Sequence, residues 1–386
     1  MKPPATCRAM SCRFLSDAMY VSRSQTGELT YKRAQSDESY SYSKPFILEL
    51  EITRRCNLRC IHCYAESEDT LFQNELTLDE ICRLLDEAAS LGMRELSLTG
   101  GEVFIRDDFL RIFDAGLARG FDVRFVTNAT LLSDTIMRGL CERPVKLITI
   151  SLDSISPVAH EKIRGKGSHA PATANILKLK EAGFNVSLIT AFSTLNLDDF
   201  DDIFQFCLQH GFDWQIQMTS AKGRCSSRIT LTPDEYYTLG EKTAALYAQK
   251  LPINIIPMDD LATFSHFAPL NRLSETWQGM CTGGLLNLFV RANGDVTPCS
   301  ALAFPQCIVG NIRKDSLRDI CLEERCKHNL SWLDSASRKG VCAECPFLDQ
   351  CQGGCPEILL SMCEDPAENL YCYHRIEQER ILKDLV

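Results

Sequence analysis

Between Pro45 and Met218 one pattern repeats six times, and it constrains the fold more than any other feature. A short apolar run is followed by a loop and then by apolar residues at helical spacing. The runs are PFILELEIT (45–53), ELSLTG (95–100), FDVRFVTNA (121–129), KLITISLD (146–153), FNVSLITAF (184–192) and FDWQIQM (212–218). Between them the spacing predicts helices over Leu78–Leu91, Phe109–Arg119, Ser133–Cys141, Pro171–Ala182 and Leu197–His210. Thr77 with Glu80 three residues on reads as a capping box. Gly92, Gly120, Gly183 and Gly211 each follow a helix where a left-handed C-cap is needed. Strands alternating with helices require a parallel sheet joined by right-handed crossovers. Six units fall short of the eight that close a full barrel. The expected class is therefore α/β: a partial (β/α)6 TIM-like barrel, open on one side, over residues 46–250. Such folds bind ligands beyond the C-terminal ends of their strands. Cys56–Cys63 follow the first strand, Gly100–Glu102 the second and Asn128 the third, while Ser151 and Asp153 end the fourth.

The flanks read differently. Residues 1–45 are polar and weakly periodic, a tail or a short hairpin cap. Residues 251–280 read as a linker. Residues 281–386 form a loop-rich domain with cysteines where a core would otherwise be. The net charge of −10 argues against nucleic acid as a partner. No apolar stretch reaches the roughly 20 residues of a membrane span. The opening MKPPATCRAM lacks the layout of a secretory signal, so the expected location is the cytoplasm.

The chain has 20 cysteines, and their placement is informative. Cys56, Cys60 and Cys63 stand together, Cys82, Cys141, Cys207 and Cys225 are scattered, and eleven more fall between Cys281 and Cys372. Disulfide scaffolds spread cysteines to staple loops, whereas metal sites bunch them. Zinc sites favour paired C-x2-C units and four ligands. Cys56-x3-Cys60-x2-Cys63 offers three, which would leave one iron of a four-iron cluster open to a substrate. A zinc site with a distant fourth ligand is the competing reading.

The residues around this triad, ITRRCNLRCIHCYAES, followed by LSLTGGEVFIRDDF, resemble the radical S-adenosylmethionine superfamily. The resemblance implies that Cys56, Cys60 and Cys63 ligate a catalytic [4Fe–4S] cluster. It implies that Gly100, Gly101 and Glu102 meet the amino group of S-adenosylmethionine, with Val103 where many relatives have proline. His62 matches a position near the adenine, although it also reads as a solvated loop histidine. Ser151 and Arg164 match positions near the methionine carboxylate and the ribose; a surface salt bridge is the alternative for Arg164. Asn128 and Asp153 are placed either to bond the ligand or to serve ordinary turn chemistry, and Leu195 resembles an adenine-contacting position. A flavodoxin- or ferredoxin-type partner would supply the electron, and a 5′-deoxyadenosyl radical would take hydrogen from the substrate.

Cys281, Cys299, Cys342, Cys345, Cys351, Cys355 and Cys372 resemble the seven cysteines of the SPASM domain, which implies two auxiliary [4Fe–4S] clusters and three in all. Cys281, Cys299 and Cys355 would hold the nearer, and Cys342, Cys345, Cys351 and Cys372 the farther. Seven thiolates leave one iron unassigned, to be open or met by Cys307; Cys363 rivals Cys372. Structural zincs are the alternative for the region. The Gly294–Asp295 step reads as a hairpin turn bringing Cys281 and Cys299 together. The expected substrate is a ribosomally made precursor peptide, crosslinked or otherwise oxidised, with a separate recognition protein as a possible partner. Alternatives are a sulfatase-oxidising or epimerising maturase, an enzyme remodelling tetrapyrrole side chains in haem synthesis, and a non-enzymatic electron carrier.

Overall fold

Leu48, Leu50 and Ile52 are fully buried on one side of the first barrel strand, while Glu49 and Glu51 alternate with them on the other. The period of two sorts the strand's side chains between an apolar layer and the barrel interior. Each buried leucine contributes about 1.5–3 kcal/mol. The computed structural model describes residues 19–23, 29–33, 39–42, 46–67, 72, 74–257, 261, 265, 281, 283–284, 287–322 and 338–384.

Strands β1 (Met19–Arg23), β2 (Leu29–Arg33) and β3 (Ser39–Tyr42) form a small antiparallel sheet of their own. The barrel strands are β4 (Ile47–Thr53), β5 (Glu95–Gly100), β6 (Asp122–Thr127), β7 (Leu147–Ser151), β8 (Val186–Phe192) and β9 (Asp213–Met218). They lie side by side in chain order, each parallel to the next. This is the partial barrel that the sequence predicts.

Two additions extend it. Strand β10 (Ile255–Pro257) pairs parallel with β9 and adds a seventh parallel strand. At the other edge β11 (Asn287–Val290) pairs parallel with β4, followed by β12 (Asp295–Thr297) and β13 (Gly310–Asn311), both antiparallel. The C-terminal hairpin thus continues the barrel sheet. Gly294 turns between β11 and β12 with φ +90°, a conformation that glycine adopts without strain. Two carboxylates tie the hairpin to β4. Glu49 accepts from Asn287 Nδ2 at 3.4 Å, and Glu51 accepts from the Ala292 N–H at 2.9 Å.

The helices are α1 (Leu78–Ser90), α2 (Phe109–Ala118), α3 (Asp134–Cys141), α4 (Pro157–Arg164), α5 (His169–Glu181), α6 (Phe200–His210) and α7 (Pro233–Tyr247). Thr77 and Glu80 form the expected capping box on α1. The short helix α4 was not expected from the sequence. Its PVAHEKIR run is half polar and spans only about two turns, and its start is marked by Ser156 at the N-cap and Pro157 in the first turn. Beyond the hairpin come α8 (Leu317–Leu322), α9 (Gly340–Ala343), α10 (Leu348–Cys351), α11 (Pro356–Met362) and α12 (Tyr373–Asp384). Most of residues 1–45 and of the linker 251–280 lie outside the described residues.

Candidate active site

The loop after β4 carries Cys56, Cys60 and Cys63, and all three line one cavity of about 420 Å³ at the C-terminal end of the barrel strands. Other segments hold the loop by its backbone. The Ile61 N–H donates to Ile163 O at the end of α4, at 2.9 Å. Arg224, in the loop after β9, spans the curve: its N–H donates to Cys63 O at 3.0 Å, Nε to Cys60 O at 3.1 Å and Nη1 to Ser67 O at 2.8 Å. Burial pushes the Cys56 thiol up to about 12 and raises that of Cys60. A bound cation is what converts such buried thiols to thiolates. Three soft sulfur donors around a cavity suit an iron–sulfur cluster.

Gly100 and Gly101 also line the cavity, and they have a second reason to be glycine. A Cβ on Gly100 would stand 2.4 Å from Thr53 O, and one on Gly101 would stand 2.3 Å from Arg55 O. The segment lies flat on the backbone that leads into the cysteine loop, and Gly101 N–H and Glu102 N–H donate to Thr53 O and Arg55 O at 2.8 and 2.9 Å. Glu102 departs from the expectation. Its carboxylate is buried and is not part of the cavity wall. It accepts from Thr127 Oγ1 at 2.6 Å, Asn128 N–H at 2.7 Å and Phe104 N–H at 3.2 Å, which makes it a strut between β5 and β6. Asn128 lines the cavity, but its amide is engaged with Asn57, Thr130 and Cys56, so the turn reading of this residue applies.

Asp153 lies wholly buried and outside the cavity wall. Its Oδ2 stands 2.6 Å from Arg164 Nε and 3.2 Å from His62 Nε2, and its Oδ1 accepts from Ala191 N–H at 3.1 Å. Burial alone would raise this carboxyl; Arg164 and His62 outweigh burial and hold it well below the usual carboxylate range. Asp153 therefore orients the Arg164 and His62 side chains. Arg164 and His62 both reach the cavity, and His62 Nδ1 is buried there with no hydrogen-bond partner among the described residues. Arg164 is 9% exposed, so it is a buried pair member and not a surface salt bridge. Ser151 lines the cavity at the end of β7. Leu195 is half-buried and outside the wall. Its neighbour Asn196 does more, donating to Asp153 O at 2.8 Å and Ala191 O at 3.2 Å.

The rest of the wall was not legible in the sequence. Glu49, Arg124, Thr149 and Gln215 line it from the barrel strands, and Lys222 and Glu357 from the loop after β9 and from α11. Lys222 Nζ donates to Ala301 O at 2.8 Å and lies 4.3 Å from the Phe304 ring centre. Burial lowers its ammonium and raises the Glu357 carboxyl. These residues stand outside any motif; only the fold brings them together.

The C-terminal cysteines fall into two places. Cys342, Cys345, Cys351 and Cys372 surround one small cavity, and Cys363 is not among its lining residues. Cys281 and Cys299 flank Gly283, whose added Cβ would stand 3.4 Å from Cys281 Sγ and 3.5 Å from Cys299 Cβ. Cys355 precedes α11, which packs on the turn Ser300–Leu302 next to Cys299. Ser300, Ala301 and Glu357 line the barrel cavity, so this second group borders it. Cys307 is fully buried, with Lys222 as its charged neighbour. Among the described residues no three His, Cys, Asp or Glu side chains converge as the ligands of a single ion do. The three-cysteine wall borders a cavity with room for a multi-atom cluster, while the four C-terminal cysteines surround a cavity of about 30 Å³.

Residues 50–207 match the family model of the radical SAM superfamily, and residues 281–346 match that of the SPASM iron–sulfur cluster-binding domain. The chain is similar to the AdoMet-dependent heme synthase of Methanosarcina barkeri, 28% identical over 86% of this chain and 97% of that protein. It is also similar to the mycofactocin maturase MftC of Mycolicibacterium smegmatis, 26% identical over 81% of this chain and 78% of that one. The fold matches Streptococcus suis SuiB bound to precursor peptide SuiA with a TM-score of 0.68, at 18% identity, over 84% of this chain and 75% of that one.

Proposed function

The chain belongs to the radical SAM superfamily and carries a SPASM domain, and from that premise we propose that it is a maturase of a ribosomally made precursor peptide. When bound, the cluster and S-adenosylmethionine together supply a hydrogen-abstracting 5′-deoxyadenosyl radical. Cys56, Cys60 and Cys63 hold the cluster, and Arg224 fixes the backbone that carries them. Gly100 and Gly101 bring their backbone against the methionine end of the cofactor. Arg164, aimed by Asp153, receives its carboxylate. His62 and Ser151 border the nucleoside.

The observation that favours a peptide is the mixed lining of the cavity. Four cations and two carboxylates line it. Arg164 is paired with Asp153 and Arg224 is engaged by loop carbonyls. That leaves Arg124 and Lys222 to face half-buried Glu49 and buried Glu357, a balance that suits the amides and varied side chains of a peptide. A tetrapyrrole with several acidic side chains calls for an excess of cations. The similarity to heme synthases supports that second reading on sequence grounds. Two auxiliary [4Fe–4S] clusters complete the proposal, at Cys281, Cys299 and Cys355 and at Cys342, Cys345, Cys351 and Cys372, with a flavodoxin- or ferredoxin-type electron donor. A separate protein would present the peptide, and the reducing cytoplasm is the fitting compartment for open thiolate sites. The test is to give reconstituted protein, holding about twelve irons, either a precursor peptide encoded beside its gene or iron coproporphyrin. We expect a peptide product that has lost two hydrogens. Turnover of the porphyrin alone would overturn the peptide reading and leave the radical chemistry intact.

A further inference from the structure

Three side chains close a ring of hydrogen bonds between the loops after β4 and β6. Asn57 Nδ2 donates to Thr130 Oγ1 at 2.8 Å, Thr130 Oγ1 donates to Asn128 Oδ1 at 2.6 Å, and Asn128 Nδ2 donates to Asn57 Oδ1 at 3.1 Å. The ring could run in either sense, but the Thr130 backbone N–H can only donate and meets Asn128 Oδ1 at 2.9 Å, which fixes which way the Asn128 amide points. The second N–H of that amide faces Cys56 Sγ, with Nδ2 at 3.9 Å. Glu102 holds the same residue from below through its backbone N–H and through Thr127. Asn128 is 6% exposed, so water does not compete for the bond.

We propose that Asn128 is a positioning and tuning residue for the cluster assigned above to Cys56, Cys60 and Cys63, on which reading this inference rests. Reduction adds negative charge to the cluster, part of it on the cysteine sulfurs. A donor held against sulfur stabilises the reduced form more than the oxidised one, and hydrogen bonds to sulfur are among the features that set such potentials. The Leu58 N–H, 3.4 Å from the same sulfur, supplies a backbone donor that no side-chain change removes. The Asn128 amide is the adjustable one, and the ring through Asn57 and Thr130 keeps it aimed.

The experiment is a reductive titration of the full-length reconstituted protein, following the EPR signal that changes on adding S-adenosylmethionine. Asn128→Ala should shift the reduction equilibrium about tenfold toward the oxidised cluster, about 59 mV for one electron. Asn128→Asp keeps the shape and the acceptor for Thr130 but sets a carboxylate against the sulfur, and should shift it further in the same direction. Thr130→Val opens the ring yet leaves the donor, and should lower the melting temperature with little change in potential. A merely structural role would lower iron content and melting temperature in all three variants with the potentials level. Equal potentials in the wild type and Asn128→Asp would therefore overturn the proposal, even if Asn128→Ala fails to bind iron. A wild-type protein with no signal responsive to S-adenosylmethionine would instead remove the cluster reading itself.

Discussion

The two cysteine-bearing regions are built on opposite principles. The loop of Cys56, Cys60 and Cys63 rests on a sheet and helices that supply most of the apolar core, to which Ile358, Tyr371 and Ile376 of the C-terminal region add, and it is held by Arg224 and by the end of α4. The region of Cys342 to Cys372 has two helices of four residues each, and left-handed backbone at Gln352, Gly353 and Gly354. Its ties include Arg338, which donates to Pro366 O at 2.7 Å and Gln352 O at 2.6 Å, Asn369, which donates to Gly353 O at 3.0 Å, and Tyr371, whose hydroxyl donates to Leu231 O at 2.9 Å. Four cysteines surround the space where a core would lie. A segment this small buries too little apolar surface to fold firmly alone, and a metal centre supplies the missing stabilisation. In the barrel the fold makes the site. In the C-terminal region the site makes the fold.

Removing each set of ligands tests that contrast most strongly. Replacing Cys56, Cys60 and Cys63 together by alanine should abolish 5′-deoxyadenosine release, remove about four irons and leave the barrel's circular dichroism and protease resistance intact. Replacing Cys342, Cys345, Cys351 and Cys372 should remove a similar amount of iron and open the C-terminal region to proteolysis. Equal protease resistance in the two variants would break the comparison.

The second group of C-terminal cysteines borders the barrel cavity through Ser300 and Glu357, which places it to act on a substrate radical. Oxidative crosslinking leaves such a radical needing to lose one electron, and a cluster at Cys281, Cys299 and Cys355 would accept it. Cys355→Ala is then expected to release 5′-deoxyadenosine at near wild-type rate while peptide product disappears. Normal product from a variant shown to lack that cluster would end the electron-acceptor role.

A smaller change probes the barrel side. Gly101→Ala forces a Cβ within 2.3 Å of Arg55 O, a backbone atom that yields only if the entry to the cysteine loop moves. Overpacking of this kind costs about 1–3 kcal/mol. Binding of S-adenosylmethionine should weaken more than iron content falls, read by calorimetry beside an iron assay. Unchanged affinity would show that the close approach of Gly101 to Arg55 does not shape the pocket.

Much of this was legible in the sequence, for physical reasons that differ by residue. The six barrel strands and the capping box of α1 follow from local periodicity and local hydrogen bonding. The cysteine sets stand out because their chemistry fixes their spacing. Gly100 and Gly101 stood out through the resemblance as cofactor contacts; that their missing side chains also make room for Thr53 and Arg55 is a tertiary fact. Arg224, Glu49, Lys222 and Glu357 were not legible, because each reaches the cavity from a different segment and no local pattern sets it apart. Glu102 was read as facing the cofactor, but Thr127 and Asn128 offer its carboxylate three-dimensional partners that no spacing reveals. Strand β10 has three residues, too few for any period to show.

The mildest expected effect concerns how the two regions are joined. Arg313, just after β13, donates to Glu80 through Nε at 2.6 Å and Nη2 at 3.1 Å, and also to Asn74 O at 2.9 Å. The C-terminal hairpin is thereby pinned to the first turn of α1, on the barrel. The Arg313 hydrogen bond is the main reason that the Glu80 carboxyl is lowered to about 2 from its ordinary 4.5. A lowered carboxyl stabilises the fold fully above its ordinary value, and that contribution fades as pH falls through about 2. Both side chains are partly exposed, so solvent screening keeps the pair at about 0.2–1 kcal/mol, with a further loss of about 1 kcal/mol if the capping box fails. Glu80→Gln should therefore lower stability by about 1 kcal/mol equally at pH 8 and pH 5.5, as read from denaturant melts with the clusters intact. High salt should shrink the part that belongs to the ion pair. A penalty that vanished between those two pH values would mean that the carboxyl titrates near its ordinary range, and that Arg313 does not hold the hairpin to the barrel.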